Sequence, residues 1–109
     1  MAQEKVLGLL GLAARAGRVE SGGFAAEKAV TGGKAHLILL SQDAGKNTVS
    51  LFENKSSYYH VPLRILGTKE LLGHAIGRGE RSCIAVTDEG FAKSLIKLID
   101  SSVSDSSIS

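Results

Sequence analysis

Apolar residues recur every three or four positions from Val6 through Ala14, and the pattern stops at Gly17. This spacing predicts a largely apolar helix over residues 3–16, with Gly17 in the left-handed C-cap position that glycine fills without steric cost. "RVES" then reads as a short extended piece. Ser21 is placed to cap a second helix, about Gly22–Val30, whose compact apolar face is Ala25, Ala26, Ala29 and Val30. "TGGK" closes that helix. "AHLILL" is an unbroken apolar run, too short for an ordinary helix and suited to a strand covered on both faces.

The second half repeats the alternation. Asp43 in "SQDAGKNT" is expected to cap a third helix reaching about Ser57. Pro62 ends helical character, and "VPLRIL" reads as a strand. Thr68 caps a short helix, and "SCIAVTD" is a further buried strand. Asp88 caps a last helix, Glu89–Ile99, with Phe91, Leu95, Leu98 and Ile99 as its stripe. Helices and strands in strict alternation imply an α/β fold: a three-layer α/β/α sandwich around a central mixed sheet of about four strands. Residues 1–100 form one domain, and the serine-rich segment 101–109 is expected to be a disordered tail.

Composition narrows the chemistry. The length of 109 residues suits a single core, and with aromatics at 5% that core must be aliphatic. Cys83 is the single cysteine, which excludes a disulfide framework and a cysteine-based zinc finger. Within "SCIAVT" it reads as a small buried hydrophobe. The formal charge is +2, but residues 1–99 hold 13 basic and 9 acidic side chains, so the distribution matters more than the total. No apolar run approaches a membrane span. Lys5 followed by Val6–Ala14 imitates a weak signal peptide, but Glu4, Gly8 and Gly11 argue against export, and a cytoplasmic protein with no membrane partner is expected.

Catalytic arrangements fail one at a time. His36, His60 and His74 have no metal-ligand spacing among themselves or with Cys83. There is no Gly-x-Ser-x-Gly elbow. "TGGKAH" leads into a strand, whereas a phosphate loop leads out of one. The expectation is a non-enzymatic protein without cofactor or metal.

Three strand-to-helix junctions remain. "ESGGF" carries Gly22, Gly23 and Phe24, with Lys28 on its helix. "SQDAGKN" carries Asp43 and Lys46. "LGTK" carries Thr68 and Lys69 and leads to "GRGERS", which holds Arg78, Gly79, Arg81 and Ser82. In α/β sheets such junctions gather at one rim, where helix N-termini present unpaired N–H groups. Lys28, Lys46, Lys69, Arg78 and Arg81 add positive charge, which suits a phosphate backbone. The bland readings stand beside this one: Gly22–Gly23 as a tight turn, Lys28 as a solvated lysine, "GRGERS" as an exposed loop. In "LGTKELLGHAIGRGE", Gly77 stops the helix so that Arg78–Ser82 forms a loop, and Gly73 fits only close packing.

Four segments in this order, "LLGLAARAGRVESG", "KAVTGGKAHLILLSQDAGKNT", "VPLRILGTKELLGHAIGR" and "IAVTDEGFAKSL", resemble the L-seven-Ae family of ribosomal and kink-turn RNA-binding proteins, and within it the small bacterial YlxQ-like branch. The resemblance spans residues 3 to 99. It implies an α/β/α sandwich that binds a sharply bent RNA, with the second helix's N-terminus in the major groove and a loop before the last strand over a flipped-out base. Carried over, those elements are Gly22–Lys28 and Gly77–Ser82, with Asp43, Thr68 and Lys69 at matching junctions. Ribosomal or other structured RNA, and ribosome-associated proteins, are the implied partners. The chain departs from the family where an Asn-Glu pair reads guanines: Phe24 and Ala25 stand there and supply no such hydrogen bonds. Phe24 is expected to turn inward as core, ahead of the alternative of stacking on an unpaired base. An RNA-binding protein is the leading reading. An interaction module that kept the fold and lost the RNA site comes second, and a small phosphate-ligand binder last.

Overall fold

The computed structural model describes the backbone of residues 2–108 and the side chains of residues 3–101. Its elements alternate as the sequence pattern requires: α1 (Ala2–Arg15), β1 (Val19–Ser21), α2 (Gly23–Thr31), β2 (Leu37–Leu40), α3 (Lys46–Tyr59), β3 (Leu63–Ile65), α4 (Lys69–Ala75), β4 (Cys83–Val86) and α5 (Glu89–Ile108).

The four strands form one mixed sheet in the order β1-β4-β2-β3. β4 is antiparallel to both neighbours, and β2 is parallel to β3. Side chains alternate across each strand, so the sheet divides the core in two. Leu37, Leu39, Ile84 and Val86 pack with Val6 and Leu10 of α1, Leu72 of α4, and Leu95 and Ile99 of α5. Ile38, Leu40, Cys83 and Ala85 pack with Ala26, Ala29 and Val30 of α2 and Phe52 of α3. These are the three layers that the alternation predicted. Complete burial of a side chain such as Phe52 contributes about 1.5–3 kcal/mol.

The local signals act where they were read. Gly17 has φ +72, and the bonds Gly17 N–H to the Ala14 carbonyl and Arg18 N–H to the Ala13 carbonyl close α1 as a Schellman motif. Thr68 Oγ1 accepts from Leu71 N–H at 3.2 Å, and Asp88 Oδ2 accepts from Phe91 N–H at 2.8 Å. Two expected caps are different. Gly22, not Ser21, stands at the N-cap of α2, and Gly45, not Asp43, stands at the N-cap of α3; neither helix has a side-chain cap. Both displaced side chains are engaged elsewhere, as described below. α5 also runs past Ile99, the expected end of the last helix; no glycine or proline follows Gly90 to stop it.

Cys83 is buried. Burial pushes its thiol up from the ordinary 9.0, against smaller opposing contributions from Ser82, the Gly22 amide and Arg81, so it stays an unreactive core residue.

Candidate functional site

β1, β2 and β3 all point the same way, and β4 runs against them. Ser21 is in register with Ile84, and Leu40 with both Cys83 and Ile65. The three strand-to-helix junctions therefore meet the loop preceding β4 along one rim of the sheet. This brings together Gly22, Gly23, Asp43, Lys46, Thr68, Lys69, Arg78, Gly79, Arg81 and Ser82.

The rim is cross-linked. Gly22 N–H donates to the Cys83 carbonyl at 3.1 Å, Ser41 N–H to the Ser82 carbonyl at 3.0 Å, and Gln42 N–H to the Gly67 carbonyl at 2.7 Å. Arg81 is the hub of the loop. Its amide donates to the Lys69 carbonyl at 3.0 Å, and its guanidinium donates to Ser21 Oγ at 3.1 Å and to the Gly79 and Glu80 carbonyls. Ser21 Oγ thus meets a residue far along the chain and makes no capping bond to α2. Gly22 has φ +92 and ψ 156, a conformation open to glycine alone, so the residue turning into α2 is fixed by backbone geometry.

Asp43 is likewise diverted. Its carboxylate accepts from Lys69 N–H at 2.9 Å, tying the β2–α3 junction to the start of α4. Desolvation opposes its charge, but the hydrogen bond from the Lys69 amide and the nearby Lys69 ammonium hold it below the ordinary 3.8. The Lys69 amide bond is the one of standard geometry; the buried Ser41 hydroxyl makes none.

The loop is seated by close packing. Arg78 N–H donates to the Gly73 carbonyl at 2.8 Å, and a Cβ on Gly73 would overlap the Gly79 carbonyl. Gly11 plays a similar part between helices: a Cβ there would lie 2.9 Å from the Ala75 carbonyl, so α1 and α4 approach closely.

Among the described residues the ion pairs are Lys55–Glu27, Arg64–Asp100 and Lys93–Glu89, and none includes an expected site cation. Lys28, Lys46, Lys69, Arg78 and Arg81 have no carboxylate at ion-pair distance among those residues. Arg78 and Arg81 line a recess of about 460 Å³ together with Glu20 and Ser21. Among the described residues, no group of three or more His, Cys, Asp and Glu residues is placed to hold a metal ion.

Two expected site residues lie off the rim. Lys28 sits a helical turn further along α2. Phe24, expected as core, is 82% exposed; α2 turns Ala26, Ala29 and Val30 to the sheet instead, which leaves Phe24 on the outer side. Phe24 and Lys28 border a groove with Lys34, Glu20 and Thr87, residues absent from the expected site. The one signal for Lys34 is the "TGGK" turn, where Gly33 takes φ +75 and folds the chain back beside α2.

A four-stranded mixed sheet between helical layers, with a cation-rich, glycine-lined rim, defines an α/β/α scaffold that presents three helix N-termini and one loop together. The chain belongs to the ribosomal protein L7Ae/L30e/S12e/Gadd45 family, whose model matches residues 4–96. It is 44% identical over 92 residues to the RNA-binding protein YlxQ of Bacillus subtilis, covering 84% of this chain and 92% of that one. A solved structure of a protein with unknown function from Bacillus halodurans is 44% identical, superposes with a TM-score of 0.85, and is covered to 97% by 88% of this chain. The 15.5 kD RNA-binding protein of Giardia lamblia is 20% identical and superposes with a TM-score of 0.78 over 92% of this chain and 86% of its own, which shows a shared fold.

Proposed function

We propose that this protein is a non-enzymatic RNA-binding protein of the cytoplasm, and that structured RNA lies along the rim formed by the three junctions and the Gly77–Ser82 loop. One observation carries this reading: Lys46, Lys69 and Arg78 belong to the junctions and loop that share this glycine-lined rim, and none of their side chains forms an ion pair among the described residues. Helix N-termini and lysines would hold phosphates, and the Arg81-braced loop would pack on a bulged or flipped base. The names of the bacterial YlxQ relative and of the Giardia protein support an RNA partner. Ribosomal RNA carrying a kink-turn is the target class we propose, with ribosome-associated proteins as further partners. No helix among the described residues is long and apolar enough to cross a membrane.

The test is binding of ribosomal and kink-turn RNA at low salt. Wild-type protein should bind, and Lys69→Ala combined with Arg78→Ala should weaken binding by about tenfold or more. No binding at low salt, or an unchanged double variant, overturns the reading.

A second reading, a protein-interaction module on the same fold, is favoured by the exposed Phe24 and the apolar Ala25 beside it. A protein partner that co-purifies after nuclease treatment, from a preparation free of nucleic acid, would select it.

A further inference from the structure

A groove of about 580 Å³ runs between α2 and the β1 edge of the sheet and adjoins the rim, sharing Glu20 with the recess beside Arg78 and Arg81. Its lining includes the small residues Ala25, Ala29 and Gly32, which leave room for a flat group beside the helix. Phe24 stands at the first turn of α2 with most of its ring exposed. A phenyl ring makes no hydrogen bonds, but its face stacks on any nucleobase. Lys28 follows Phe24 by four residues and so shares its helix face. Lys34 enters from across the Gly32–Gly33 turn, and neither lysine has an ion-pair partner among the described residues. Glu20 and Thr87 put an acceptor and a hydroxyl on the wall, where a base edge can be hydrogen-bonded.

We propose that this groove holds one unpaired nucleotide of the bound RNA, its base stacked on Phe24 and its flanking phosphates met by Lys28 and Lys34. The proposal rests on the reading that structured RNA binds the adjoining rim, and it assigns α2 a stacking contact where the family pattern places a polar one. The two cations favour a nucleotide over an apolar side chain of a protein partner: an apolar side chain has no use for them, whereas phosphates do.

The sequence contains no tryptophan, so Phe24→Trp installs a single indole fluorophore in the groove without removing the aromatic face. The probe is a kink-turn RNA hairpin with an unpaired bulge, titrated at low salt. Indole emission from the F24W variant should fall by about half or more on binding, with affinity retained, because a base stacked on the ring quenches it. Phe24→Leu keeps an apolar side chain but has no π face, and should bind about tenfold more weakly, as expected when one base–aromatic stack is lost. Phe24 is exposed, so both variants should melt with the wild type. If wild type binds the hairpin while Phe24→Leu binds equally well and the indole emission stays constant, the groove proposal fails and the rim reading stands. If the indole is quenched while Lys69→Ala with Arg78→Ala leaves affinity intact, the rim reading fails, and with it the groove's place beside a rim-bound RNA; only the stacking contact on Phe24 is retained. If wild type binds no RNA, both fail.

Discussion

Gly73 of α4 lies directly beneath the Gly79 carbonyl, with no room between them for a methyl group. The Arg78 amide bonds the Gly73 carbonyl at 2.8 Å, so the loop and the helix meet backbone to backbone. Gly73→Ala should gain up to about 1 kcal/mol of helix propensity and lose about 1–3 kcal/mol to overpacking, for a net destabilisation. Denaturant unfolding measures the net. RNA affinity should fall as well, because the displaced segment carries Arg78 and Arg81; a variant that is more stable and binds normally would contradict the seating of the loop.

Lys46 and Lys69 should behave as phosphate contacts. Each single alanine substitution should reduce the slope of log affinity against log salt by roughly 0.7–0.9, the change expected for one lost phosphate. Stability should stay within about 0.5 kcal/mol, since neither ammonium makes an ion pair among the described residues. Binding isotherms over a series of salt concentrations decide the point.

Asp43 gives the rim a pH signature. Its carboxyl is held below the ordinary 3.8, so its contribution to stability is complete above that value and is lost as pH falls through the lower folded value. Asp43→Asn retains an oxygen for the Lys69 amide and removes the charge. It should melt below wild type at neutral pH and approach it as pH falls below the lowered folded value of Asp43. Paired melting curves across that range are the measurement, and a difference that persists in acid would point to packing rather than charge.

Arg81 should resist conservative replacement. Its Nε bond to Ser21 and its bonds to two loop carbonyls need a planar fork, which lysine lacks. Arg81→Lys should cost about 0.5–1.5 kcal/mol, and Ser21→Ala should add little once Arg81 is changed. A double-mutant cycle by chemical denaturation tests this coupling.

What the sequence made legible was local. The continuous run of Leu37–Leu40 marked a strand covered on both sides, and Thr68, Asp88 and Gly17 punctuated helices with atoms belonging to their own turns. Ser21 and Asp43 carry the same capping chemistry, yet their side chains meet Arg81 and Lys69, which lie 60 and 26 residues away. No local pattern contains that competition. Phe24 was misplaced for a related reason: an aromatic in a helix of small residues looks like core until the sheet decides which side of α2 is inside. The cations of the rim were each visible along the chain, but the groove formed by Phe24, Lys28 and Lys34 exists only once the Gly32–Gly33 turn folds back.

The strand order has a consequence for biosynthesis. β4 is the last strand made, and it lies between β1 and β2. Until Cys83 emerges, Val19–Ser21 has nothing to pair with, and only the parallel β2–β3 pair can assemble. The sheet is completed by inserting Cys83–Val86 between segments made well before it, so the sheet cannot take its native strand order until Val86 has been synthesised.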